Sequence, residues 1–342
     1  MSGTTMPFWR DVAPRTVRRG HFWIAGDRVQ LDGRTYQRGP MFVEWEAPEQ
    51  VTQPWPVILM HGGGFQGTEW FETPDGRPGW AQRLVEAGYA VLVVDRPGHG
   101  RAPFHTATLG AMGPPFSYEG GRQIYFPAGA AEAHTQWPFA PDDEAAMDEF
   151  IAGYGPLPAD LELSQTLDAD RTAALLDRVG PAILLTHSAS GPAGWLIADR
   201  RPGLVVAIVA VEPMGPPFAD IPNIGPMSWG PAAAPLRFEP PVTDPAQVRD
   251  VAPGQLRLPA LAGLPILIVT AGASAFAAAS PPTADFLNAA GASAQLMHLP
   301  DHGVHGNGHG LIYERNSDAA LAPVLAWLGR HASDPADREG GV

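Results

Sequence analysis

Six short apolar runs constrain this chain more than any other feature: Val57–Met60, Ala90–Val94, Ala182–Thr186, Leu204–Val211, Ile266–Thr270 and Ala294–Leu299, each closed by Gly, Pro or a polar turn. Short runs rich in Val, Ile and Leu suit strands buried on both faces of a parallel sheet, where every side chain meets a dry layer. Helical patterns interleave with them at Pro78–Ala87, Asp168–Val179, Ser190–Arg200 and Thr283–Ala290, and Gly310–Gly329 reads as a closing helix. This alternation predicts an α/β fold with a mostly parallel, doubly wound sheet. Ahead of the first run, His21–Ala25 and Met41–Trp45 alternate in the β manner with Asp32-Gly33 as a turn between them. They predict an N-terminal antiparallel hairpin, residues 18–47, at the sheet edge.

Two segments, 103–155 and 213–264, are crowded with Pro, Gly and aromatics and fit no regular element. Loops of this length are uncommon unless they cover a site. Both leave the carboxyl ends of predicted strands, where open α/β sheets bind ligands. No repeat or linker divides the chain, so residues 1–342 are expected to form a single domain. The net charge of −14 opposes a phosphate backbone and argues against a nucleic-acid partner. The absence of Cys excludes disulfide scaffolds, zinc–thiolate sites and cysteine catalysis. Leu204–Val211, the longest apolar run, is far short of the ~20 residues that span a bilayer. Met1–Arg19, with Phe8 and Trp9, has no unbroken apolar stretch before a small-residue cleavage site. The expectation is a cytoplasmic protein with no membrane partner, a homodimer being left open.

Ala182-Ile-Leu-Leu-Thr-His187-Ser188-Ala189-Ser190-Gly191 carries a strand straight into a small-residue turn and a helix. A serine on so tight an elbow has its hydroxyl lifted above the sheet, with the next backbone N–H aimed at the same space. Thr186 and Ser190 stand where the pattern Gly-x-Ser-x-Gly has glycines, and both are still small. A helix-capping serine is the competing reading. Met60-His61-Gly62-Gly63-Gly64-Phe65 closes the first buried strand, and glycines there let backbone N–H groups approach a developing oxyanion. A plain glycine turn competes with it. Together, the loop after one parallel strand and the serine after a later one form the acyl-transfer layout of the α/β-hydrolases.

That layout needs a base later in the chain, and Asp301-His302-Gly-Val-His305-Gly-Asn-Gly-His309-Gly310 lies between the last strand and the last helix. His309, nearest the closing helix in a flexible Gly-Asn-Gly-His-Gly loop, is favoured over His302 and His305, while His298 alternates within the strand. The spacing of these four histidines would also stack metal ligands on one helix face. However, Gly303, Gly306, Gly308 and Gly310 each cost a helix about 1 kcal/mol relative to Ala, and no metal is expected. For the orienting carboxylate, Ile266–Phe276 ends without an acid, whereas Val205–Val211 runs directly into Glu212. A solvent-exposed strand-end acid is the alternative for Glu212, and Asp285 and Asp301 are the rival carboxylates.

At these residues the chain resembles the α/β-hydrolase superfamily, and more narrowly the bacterial esterase 713 group. The resemblance runs through His61-Gly-Gly-Gly-Phe-Gln-Gly-Thr, Thr73–Trp80, His134-Thr-Gln-Trp137, Gly180–Ser188 and His305-Gly-Asn-Gly-His309. It implies the α/β-hydrolase fold and a serine hydrolase with a Ser188, Glu212, His309 triad, the acid following the sixth strand of the usual fold. The implied reaction is hydrolysis of a carboxylic ester or lactone through an acyl-enzyme, with no cofactor. The oxyanion would be held by N–H groups of Ala189 and of Gly63 or Gly64, worth roughly 3 kcal/mol per donor. Phe65 and aromatics of the two excursions, Phe104, Phe116, Tyr125, Trp137, Phe218 and Trp229, are expected to wall an apolar substrate pocket. A carbon–carbon hydrolase of diketones and a non-catalytic ligand receptor are the alternatives.

Overall fold

The computed structural model describes residues 13–130, 132–252 and 254–332. Most of the N-terminal stretch considered for a leader, including Phe8 and Trp9, lies outside the described residues. The chain opens with β1 (Val17–Ile24), β2 (Asp27–Leu31), β3 (Arg34–Arg38) and β4 (Met41–Pro48). Then come β5 (Val57–Met60), α1 (Trp80–Glu86), β6 (Val91–Asp95), α2 (Thr106–Leu109), α3 (Tyr118–Tyr125), α4 (Glu144–Ala152) and α5 (Leu161–Val179). β7 (Ala182–His187), α6 (Gly191–Arg200) and β8 (Val205–Val211) form the next unit, followed by the two-residue strands β9 (Asp220–Ile221) and β10 (Gly225–Pro226) and by α7 (Pro245–Asp250). β11 (Pro265–Thr270), α8 (Ser280–Ala289), β12 (Ser293–His298) and α9 (Ser317–His331) complete the described chain.

The central sheet has eight strands in the order β1-β4-β6-β5-β7-β8-β11-β12. From β6 to β12 neighbours run parallel, while β4 is antiparallel to both β6 and β1. Strand side chains alternate between two dry layers, as the period of two requires. Val57, Leu59, Ile183, Leu185, Val209 and Val269 meet α1 and α9 on one face. Ile58, Met60, Leu184, Ile208 and Ile268 meet α5, α6 and α8 on the other. β6 and β7 flank β5 on opposite sides, so the winding reverses there and opens a crevice at the carboxyl ends of β5 and β7.

Local details depart from the sequence expectation in four places. Asp32-Gly33 does not join the two edge strands. It turns β2 into β3 with both residues at positive φ, +49° and +71°, while β1 pairs with β4 from Val17↔Pro48 to Ile24↔Met41. The first excursion is not irregular: Ser117 and Asp143 cap α3 and α4 with their side chains, and α4 buries Met147, Phe150 and Ile151 along one face. Among its described residues the second excursion is largely irregular, with α7, the β9–β10 pair and a short 3₁₀ turn as its only regular elements. The closing helix starts at Ser317 rather than Gly310, because 310–316 is a turn, buried through Glu314, that sends the Glu314 carboxylate back to the Gly308 N–H. α5 starts earlier than its apolar pattern suggests, at Leu161, where Asp160 accepts the Leu163 N–H at 2.9 Å.

One contact ties the fold to the crevice. A Cβ on Gly191 would lie 2.4 Å from the Cβ of Pro213, so the start of α6 touches the loop leaving β8. Gly191→Ala is expected to cost about 1–3 kcal/mol through overpacking, read by chemical denaturation. It should also lower activity, because Pro213 directly follows Glu212.

Candidate active site

β5, β7 and β8 end level with one another, since Met60 pairs with Thr186 and His187 with Val211. The residues just beyond them, the His61–Gly64 loop, Ser188 and Glu212, therefore emerge side by side. Ser188 sits at φ +55° and Glu212 at φ +47°, left-handed conformations that cost a non-glycine residue about 1–3 kcal/mol. Neighbouring groups impose them. The Ser190 hydroxyl accepts the His187 N–H at 3.0 Å and lies 2.9 Å from the Met60 carbonyl. The Ser188 carbonyl accepts the Met214 N–H at 2.8 Å, and the Glu212 N–H donates to the Val269 carbonyl at 2.9 Å. Ser190 thus locks the elbow with a side chain where a glycine was the pattern, and Gly191 takes the close approach.

His309 reaches this edge from the loop after β12. Its Nε2 lies 2.9 Å from Ser188 Oγ and its Nδ1 3.4 Å from Glu212 Oε2. Glu212 is fully buried, and it accepts the Ala271 N–H at 2.6 Å and the Ser274 hydroxyl. With a carboxylate facing Nδ1, that nitrogen carries the proton and Nε2 is left bare toward Ser188. Phe276 packs on the imidazole at 4.2 Å between centroids. Burial holds the His309 pKa below the ordinary histidine value; the Glu212 hydrogen bond opposes this without overcoming it. The loop that carries His309 is itself anchored, as the Glu314 carboxylate takes the Gly308 N–H at 2.9 Å and pairs with His134 at 2.8 Å.

The glycine loop is aligned through both backbone groups of Gly62. The Arg96 N–H donates to His61 Nε2 at 3.1 Å, so His61 carries its proton on Nδ1, which donates to the Gly62 carbonyl at 2.8 Å. The Gly62 N–H donates to Glu69 Oε1 at 3.0 Å. Because a trans peptide sets its N–H opposite its carbonyl, the His61 contact fixes the direction of the Gly63 N–H. Gly63 lies against Ala189, to whose Cβ an added Cβ would come within 3.1 Å. Gly64 turns away at φ +70°, its carbonyl taken by the Gly155 N–H at 2.6 Å.

Above Ser188 and His309 opens a cavity of roughly 550 Å³ lined by Phe65, Phe116, Tyr125, Tyr154, Leu157 and Phe276 among others, with Gly63 and Ala189 at its floor. Four aromatics expected in its wall lie elsewhere. Phe104 faces a separate surface groove with Trp23 and Tyr36. Trp137 is buried behind Tyr125, packed against Phe150 and Tyr313. Phe218 stacks edge-on with Phe286 beneath Arg249, and Trp229 is buried in the layer that holds α6 and α8. Much of each excursion packs against the body of the fold, so only parts of them reach the cavity. Among the other histidines, His302 and His305 are exposed and His298 bonds Thr270 at 3.0 Å. The helix that would have stacked them as metal ligands does not form. Asp301 is exposed, and Asp285 lines a different pocket. Sequence patterns had singled out neither Glu69 nor Tyr154 nor Phe276, which lie in segments without periodicity.

A relative from Fungal sp. (strain ATCC 74256), named as a probable secreted lipase phiG, is 35% identical over 320 residues, covering 86% of this chain and 87% of that protein. The chain belongs to the esterases and lipases of the α/β-hydrolase superfamily. It is a carboxylic ester hydrolase. The fold of this esterase is shared with a solved bacterial esterase at TM-score 0.69 and 24% identity, covering 94% of this chain and 98% of that one. No protein-family model matches the chain. No helix among the described residues of the esterase is long and apolar enough to cross a membrane.

A histidine must be neutral to accept the Ser188 proton, and burial lowers the pKa of His309. The acid limb of kcat/KM is therefore expected below about pH 6.5. A pH–rate profile with a neutral ester checks it, and a midpoint above that value would contradict burial as the dominant influence.

Proposed function

We propose that Ser188, His309 and Glu212 form the catalytic triad of a serine esterase or lactonase working in a single domain, with Gly63 and Ala189 as oxyanion donors. The carrying observation is the imidazole bridge, with Nε2 2.9 Å from Ser188 Oγ and Nδ1 turned to Glu212. Ser188 Oγ bonds to the ester carbonyl carbon while its proton passes to His309 Nε2, and the carbonyl electron pair moves to oxygen beside the Gly63 and Ala189 N–H groups. Collapse breaks the carbon–alcohol bond. The alcohol leaves with the proton from Nε2, or in a lactone stays tethered to the acyl group. Water then repeats the sequence, losing its proton to Nε2, and the acid is released from Ser188. Glu212 fixes the imidazole tautomer and offsets its positive charge throughout.

The lining supports an apolar substrate. Phe65, Phe116 and Tyr154 stack together at the cavity wall, with centroids 4.6 and 4.1 Å apart, and no Lys or Arg lines the cavity among the described residues. A neutral ester or lactone fits such a wall better than an anionic one. The sequence expectation for the compartment is the cytoplasm, while the fungal relative is named as secreted. Without Cys the fold depends on neither redox setting. Assays of culture medium against lysate distinguish the two locations.

A fluorophosphonate is expected to label the peptide that carries Ser188, and Ser188→Ala should abolish both labelling and turnover of p-nitrophenyl esters. Glu212→Gln keeps the shape and removes the charge. It should lower kcat on the order of 10⁴-fold with KM little changed. Full activity in either variant would overturn the assignment.

A further inference from the structure

Beneath the Ser188–His309 pair lies a second buried histidine–carboxylate pair that the reaction above does not use. His187 and Glu69 each have side chains only 1% exposed. His187 Nδ1 lies 3.2 Å from Glu69 Oε1, and its Nε2 lies 3.1 Å from the backbone carbonyl oxygen of His309. Both oxygens are acceptors. A neutral imidazole has one N–H, so beside an ionised Glu69 it would leave a bare nitrogen against a lone pair. The contacts are satisfied only when the pair holds one more proton, either as imidazolium with carboxylate or as a carboxylic acid donating to Nδ1. In both forms the pair is neutral overall.

We propose that Glu69 and His187 are positioning residues, a proton-holding pair that joins the glycine loop, the serine elbow and the base-bearing loop, and whose shared proton sets the alkaline limit of activity. Glu69 Oε1 also receives the Gly62 N–H at 3.0 Å, next to the proposed oxyanion donor. His187 directly precedes Ser188 and is tied into the elbow by its N–H to Ser190. Its Nε2–H holds the carbonyl of His309 itself. Glu69 lines the cavity, so an unneutralised charge there would oppose the oxyanion. The shared proton removes that opposition.

The surroundings favour keeping the proton. His187 is faced by Glu69, by the rings of His309, Tyr313 and Trp70 at 5.0, 6.1 and 6.3 Å, and at longer range by His61 and Glu212. Burial pulls the His187 pKa down, but the Glu69 charge and hydrogen bond, the His309 carbonyl and Glu212 outweigh it, and the net shift is upward. The pair therefore holds its proton to a higher pH than an ordinary histidine would and loses it only as pH rises through that raised value. A bare ring nitrogen then repels its oxygen partner, and the three loops loosen together.

The kinetic part of this inference rests on the triad proposed above, whereas the proton count does not. Neutron diffraction on wild-type crystals near neutral pD should show two hydrons on the pair, one on Nε2 and one between Nδ1 and Glu69. A bare nitrogen facing an unprotonated Glu69 would overturn the proposal, whether or not Ser188 is the nucleophile. In solution, Glu69→Ala should lower kcat about 10²-fold, the scale of a small misplacement of reacting groups, with KM little changed. Glu69→Gln keeps an amide oxygen where Oε1 receives the Gly62 N–H and meets His187 Nδ1, and it has no proton to lose. It should recover most of that kcat near neutral pH, and its kcat/KM profile should lack the alkaline limb. An alkaline limb unchanged in Glu69→Gln, or undiminished kcat in Glu69→Ala, would overturn the coupling. Fluorophosphonate labelling of Ser188 in the same samples separates failure of this inference from failure of the triad.

Discussion

The level carboxyl edge of β5, β7 and β8 is the constraint from which the rest of the site follows. Parallel pairing at Met60↔Thr186 and His187↔Val211 brings three chain segments out of the sheet at one height. Each must then turn at once to reach the crevice, which forces Ser188 and Glu212 into left-handed backbone. Such strain persists only where surrounding contacts over-determine it. The Ser190 hydroxyl, the Met214 N–H and the Gly191–Pro213 contact supply that over-determination, and each links one of these segments to a neighbour. Moving any one would move the others.

Burial makes the proton positions here a matter of partners rather than of bulk pH. His61, His187 and His309 are all buried, yet their neighbours demand different states. His61 has one donor and one acceptor around it and is neutral, its pKa driven well down by burial. His309 has a carboxylate on one side and a hydroxyl on the other, which fits a neutral ring that can gain a proton. His187 has acceptors on both sides. Their sequence positions say nothing of this difference. It comes from what each ring meets when the sheet assembles.

The fold was legible in the sequence because buried parallel strands leave an unmistakable local pattern, and each of the six apolar runs coincides with a strand to within about one residue. The residues at the site edge were legible for a related reason: Ser188, Glu212 and the glycine loop each follow directly on such a run. His309 was harder, since four histidines crowd the same segment and only its distance to the closing turn favoured it. The cavity wall was not legible. Trp137 and Tyr125 are alike in composition and context, yet one is walled off behind the other. Which aromatic of a long excursion faces a cavity depends on how α3 and α4 dock, and no local period encodes that. Glu69 was invisible because its partner His187 is 118 positions away.

The carboxylate on β8 shows how adjacent strands can share a task. The strand after it, β11, ends in Thr270-Ala271-Gly272 with no acid. Yet its end is not idle, because the Ala271 N–H and the Ser274 hydroxyl both donate to Glu212. Neighbouring strands lie about 4.8 Å apart, so a carboxylate leaving β8 must reach across the end of β11 to meet the His309 imidazole. Glutamate, one methylene longer than aspartate, extends that reach, and the positive φ of Glu212 aims it along the edge. The strand that lacks the acid supplies hydrogen bonds that steer it. An aspartate at 212 would keep the charge but fall short of Ala271, Ser274 and His309 together, so the residue type follows from the strand that carries it.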